Sequence, residues 1–88
     1  LFAKSPVKRT GRARFLRNVL IAIGNSGDTA LAPEAERLLD DSAPLTRGAA
    51  IWALGRLARS RLVDCASTRR AVESDPQVAA EWTAALAE

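Results

Sequence analysis

The tripeptide Ala22-Ile23-Gly24 returns 31 residues later as Ala53-Leu54-Gly55, and Leu54 is answered by Leu86 after a further 32. A unit of about 30 residues made of two antiparallel helices cannot bury its apolar face alone, so such units must stack into one continuous core. The spacing of apolar residues follows the helical period of 3.6, not the strand period of 2, throughout the chain. Alanine and leucine abound, tyrosine is absent and no alternating β-branched run exists, which leaves an all-α class. The expected architecture is about five short helices in a right-handed α-α stack.

Helix boundaries follow from local chemistry. Phe15, Leu16, Val19, Leu20, Ala22 and Ile23 form one apolar arc, while Arg14, Arg17 and Asn18 share the opposite arc. Arg12 falls in the apolar arc, which predicts a start near Ala13 and leaves residues 1–12, with Ser5-Pro6 and Gly11, as an extended basic arm. The repeat domain is then residues 13–88. Gly24-Asn25-Ser26-Gly27-Asp28 stops the first helix, and a second runs to about Leu39 with Pro33 in its first turn. A third, from Leu45 to about Ala58, is apolar nearly all round and so is expected between neighbours on every side. A fourth is placed at Arg61 to Glu73, and a fifth starts with Asp75 as cap and Pro76 at the first position, turning Val78, Trp82, Ala85 and Leu86 inward.

Charge is distributed unevenly. Residues 1–27 hold six Lys and Arg and no acid, whereas residues 28–88 hold seven basic and ten acidic groups. A positive field at one end of a small molecule steers and holds polyanions. One cysteine, Cys65, and no histidine leave neither an internal disulfide nor a soft-ligand set for zinc or an iron-sulfur cluster. Cys65 reads as a small hydrophobe, and Trp52 and Trp82, both on apolar stripes, read as core. There is no clustered carboxylate pair and no phosphate-binding loop, so the chain is not expected to be an enzyme by itself. The longest apolar run, Val19 to Ile23, is far short of a membrane span.

Gly27-Asp28, Pro33, Leu38-Leu39, Asp41, Leu45, Arg47, Ala49-Ala50 and Ala53-Leu54-Gly55 resemble the short HEAT-like repeat shared by phycobilisome lyases and many other proteins. More specifically, SPVKRTGRARFLRNVLIAIGNSGD, residues 5–28, resembles the segment that opens the C-terminal HEAT-like region of epoxyqueuosine reductase. The resemblance continues through DDSAPLTRGAAIWALGRL to Ala80-Glu81-Trp82 and departs at Thr29, where a proline is frequent, and at Thr46, where an aliphatic residue is usual.

That resemblance implies a parent oxidoreductase that converts epoxyqueuosine to queuosine at the wobble position of tRNA. Such a parent uses cobalamin and two [4Fe-4S] clusters held by upstream domains outside this chain. The chain, beginning Leu-Phe, reads as a piece of such a cytoplasmic protein, monomeric, with the tRNA anticodon arm and the upstream catalytic domain as partners. By motif match the nucleic-acid contacts are Lys8, Arg9, Arg12, Arg14, Arg17, Asn18 and, in the turn, Asn25. The competing expectation is a protein-interaction module whose basic N-terminal face pairs with an acidic partner.

Overall fold

The computed structural model describes the backbone of residues 6–87 and the side chains of residues 11–87. Among these residues there are five α-helices and no strand: α1 (Pro6–Ser26), α2 (Ala32–Arg37), α3 (Pro44–Leu57), α4 (Arg59–Arg69) and α5 (Pro76–Leu86). Short 3-10 turns, Thr29–Leu31 and Leu38–Asp40, bracket α2.

The first helix corrects the sequence expectation. It begins at Pro6 rather than near Ala13, so residues 6–12, expected within an extended arm, are helical. Proline belongs in a first helical turn, and one interior glycine, Gly11, costs only about 1 kcal/mol, too little to stop a helix supported elsewhere. Arg12 lies on the apolar arc, but that part of α1 extends past the start of α3 and meets a loop carboxylate, Asp41, instead of core. The helix ends inside the expected stop at 24–28, running on through Ser26. Gly27 sits at φ 70°. The Ser26 hydroxyl donates to the Ile23 carbonyl at 2.6 Å and accepts the Asp28 amide at 3.0 Å, which closes the end.

Helix α3 occupies the centre and packs against all four other helices. Its Ala50, Ile51, Ala53 and Leu54 are fully buried. Leu20 and Ile23 of α1, Leu62 and Cys65 of α4, and Val78 and Trp82 of α5 complete the core with Ala32, Ala35, Leu38 and Leu39 around α2. Arg12 lies beside Asp41 at one end while Gly24 lies against Trp52 at the other, so α1 and α3 run in the same direction. Gly48 near Glu81 and Gly55 near Ala85 give α5 that direction too. Helix α4 spans Arg59–Arg69 rather than Arg61 to Glu73, and Val72, beyond its end, is 79% exposed.

Two similar clasps fasten the loops that precede α3 and α5. Arg12 donates to Asp41 through both terminal nitrogens, at 3.2 and 2.7 Å, and Asp41 also accepts the Ala43 amide at 3.0 Å. Thirty-two residues on, Glu73 accepts from Arg47 at 3.0 and 2.8 Å and from the Asp75 amide at 3.0 Å. In each case a proline, Pro44 or Pro76, opens the next long helix three residues after the carboxylate. Arg47 joins the two by donating to the carbonyls of Asp41 and Ser42 at 3.0 and 3.1 Å. A third bidentate pair, Arg69 to Asp40 at 2.8 and 2.9 Å, fixes α4 to the end of the second 3-10 turn.

The arginine hydrogen bonds hold Asp41, Glu73 and Asp40 below the usual carboxylate range, against the opposing effect of burial. A carboxylate whose pKa is depressed on folding contributes fully above its unfolded value, and that contribution disappears as pH falls through the folded value. Thermal stability is therefore expected to decline once pH drops below the ordinary carboxylate pKa of about 4. Glu73→Gln should lower the melting temperature near neutral pH and flatten that acid decline, as melting curves recorded across a pH series will read.

Thr46 is fully buried with its hydroxyl unpartnered. An unpaired buried hydroxyl costs about 1 to 3 kcal/mol. Thr46→Val keeps the shape and removes that cost, so denaturant unfolding should show a stabilisation of about 1 kcal/mol.

Candidate nucleic-acid interface

The core stripe of α1 is Leu16, Val19, Leu20 and Ile23, which leaves Arg14, Arg17, Asn18, Ile21 and Asn25 together on the opposite stripe at helical spacing. All five are exposed. Arg17 donates to the Asn18 side-chain oxygen at 3.4 Å, and no carboxylate among the described residues pairs with Arg14 or Arg17. Of the seven expected contact residues the fold therefore brings four together: Arg14, Arg17, Asn18 and Asn25. Arg12 stands apart, its guanidinium engaged by Asp41. Lys8 and Arg9 lie outside the described side chains.

Asn25 stands on the rim of a groove of about 470 Å³ across α1, α3 and α5. Ile21, Leu45, Ala49, Trp52 and Val78 give the groove its apolar lining. Arg17 and Asn25 rise on the α1 side, and Gln77 and Glu81 on the α5 side. Sequence reasoning missed this groove, because no single element contains it and it exists only once three helices lie side by side. Ile21, an isoleucine on an otherwise polar stripe, is the signal that could have pointed to it.

Trp52, expected in the core, is only half-buried. Its ring lies against Gly24, where a side chain would come within 2.5 Å of the ring. The Arg56 guanidinium sits 5.3 Å from the ring centroid and donates to the Gly24 carbonyl at 3.2 Å, near the end of α1. This combines a cation-π contact with cover for a helix-end carbonyl. Phe15, also expected inward, is 65% exposed beside the basic stripe. Phe15 lies away from the side of α1 that packs on α3 and α2, and Trp52 opens onto the groove.

Trp82 is buried as expected. Cys65 is buried too, and burial raises its thiol pKa, so it is a poor thiolate. No group of three or more His, Cys, Asp or Glu side chains among the described residues is placed to hold a metal ion. One cysteine and no histidine in the chain supply no ligand set for an iron-sulfur cluster. No described helix is long and apolar enough to cross a membrane. Comparison with protein-family models, curated proteins and solved structures finds no match for the chain.

The Gly24 contact is testable. Gly24→Ala should force the Trp52 ring aside, shift the tryptophan emission and cost about 1 to 3 kcal/mol in denaturant unfolding, as overpacking does.

Proposed function

We propose that this chain is a tRNA-binding and docking module of the epoxyqueuosine reductase type, built from short HEAT-like repeats. The repeat reading is supported by the two carboxylate clasps 32 residues apart and by the three long helices that run in one direction. The binding reading rests on one observation above the rest: arginines are divided between those spent on acids and those left for a partner. Arg12, Arg47 and Arg69 are held by Asp41, Glu73 and Asp40, whereas Arg14 and Arg17 stand beside Asn18 with no acid attached.

Two cations one turn apart, next to an amide, suit a nucleic-acid backbone with an adjacent ribose hydroxyl or base edge. In this reading the stripe holds the anticodon arm of a cytoplasmic tRNA and sets its register. Reduction of the wobble nucleotide, with cobalamin and two [4Fe-4S] clusters, belongs to a catalytic domain elsewhere in such an enzyme. Part of the basic end of α1 then docks on that domain. Phe15, 65% exposed beside the stripe, favours a second reading in which this face of α1 meets protein instead.

The two readings separate in a salt series. A tRNA with a queuosine-type anticodon should bind the chain with an affinity that falls linearly on a logarithmic salt scale, as counterion release requires. Arg14→Glu and Arg17→Glu should each weaken binding and lower the slope by about 1, while Arg12→Gln should lower the melting temperature and leave the slope intact. Binding without salt dependence, or an undiminished slope in the Arg14 and Arg17 variants, would count against the RNA reading and leave the protein-docking one.

A further inference from the structure

We propose that the groove across α1, α3 and α5 seats one unstacked nucleobase of the bound RNA, guanine in preference to the others. The inference rests on the RNA-binding reading above and adds to it a specific subsite. The groove's volume of about 470 Å³ lies in the range of about 300 to 1,000 Å³ usual for small-ligand sites. One aromatic ring, Trp52, and aliphatic side chains line it, which is the surface that a base plane removed from its stack requires.

Its rim carries the polar groups that a base edge needs, and they are unspent. The side chains of Asn25, Gln77 and Glu81 make no hydrogen bond among the described residues. Arg17 is on the same rim as Asn25, two turns earlier along α1, and continues the stripe through Arg14. Phosphates held at Arg14 and Arg17 would leave the attached nucleotide beside the mouth of the groove.

The opposite rim sets what can enter. Glu81 is an acceptor without an ion-pair partner among the described residues, so it repels a phosphate and favours a ligand that presents donors. Guanine offers two adjacent N–H donors, N1–H and the N2 amino group, on its Watson–Crick edge. A carboxylate can accept both. Uracil offers N3–H between two carbonyls, and adenine and cytosine each set one amino group beside an acceptor. An apolar peptide side chain would cover Ile21, Leu45 and Ala49 but leave three polar side chains idle.

The experiment uses the whole chain with fluorescein-labelled UUGUU and UUUUU oligonucleotides and an RNA duplex, reading anisotropy together with Trp52 emission in a Trp82→Phe background. UUGUU should bind about tenfold more tightly than UUUUU and quench Trp52. Ala49→Phe, which fills the groove, and Glu81→Gln, which removes the acceptor without changing volume, should each bring UUGUU down to the UUUUU level. Affinity for the duplex and the melting temperature should stay as they were.

Equal affinity for the two oligonucleotides, or a guanine preference that survives Glu81→Gln, overturns the base subsite while leaving salt-dependent duplex binding in place. Failure to bind any of the three RNAs at low salt overturns the subsite and the RNA-binding reading together.

Discussion

Helix α3 carries the residues that the other four helices must cover, and of its apolar stripes the one with Leu45, Ala49 and Trp52 opens onto the groove. Ala50, Ile51, Ala53 and Leu54 are each fully buried, so neighbours are required over that side of the helix. In an 88-residue chain, which buries only about 60 to 65% of the surface its unfolded form exposes, that requirement organises everything else. Helices α1 and α5 flank α3 in its own direction, α2 and α4 complete the cover, and the turns are fixed where they must be for this to happen. Arginine and carboxylate clasps do the fixing. They hold the approach to α3 and the approach to α5 in the same way, with a loop acid receiving both an arginine and the amide two residues on.

A consequence for recognition follows from this arrangement of charge. The clasps consume Arg12, Arg47 and Arg69, and Arg56 is taken by the Gly24 carbonyl and the Trp52 ring. Besides the stability carried by their depressed carboxylates, these pairs set loop geometry. Arg14 and Arg17, which no carboxylate among the described residues engages, lie on the outer stripe of α1, while Arg70, also without an acid, donates to the Thr83 hydroxyl. The same packing of α1, α3 and α5 that buries the core leaves a groove between them, with an apolar lining under that stripe. Core, clasps and candidate interface are thus different faces of the same three helices.

Much of this was legible in the residues. The all-round apolar character of Leu45 to Ala58 foretold a central helix, Asp75-Pro76 foretold the start of α5, and the stretch from Gly24 to Asp28 foretold the end of α1 to within a few residues. The polar stripe of Arg14, Arg17 and Asn18 was legible for the same reason, since a period of 3.6 fixes which side chains share a face. What escaped the sequence depends on neighbours. Arg12 looked misplaced on an apolar arc until Asp41, 29 residues away, came within reach of it, so the start of α1 was set too late. Phe15 and Trp52 looked like core because periodicity reports a face but not whether a second element arrives to cover it. The groove was invisible for a related reason: its two rims come from α1 and α5, which are separated in sequence by the whole of the core.

The division of arginines into committed and uncommitted sets is the central claim, and side-chain NMR tests it most directly. Arginine Nε–H resonances followed during titration with an anticodon stem-loop RNA should move for Arg14 and Arg17, together with the Asn18 and Asn25 side-chain amides. Those of Arg12, Arg47 and Arg69 should stay near their free positions. Perturbation centred on Arg12, Arg47 and Arg69, with Arg14 and Arg17 unmoved, would contradict the account.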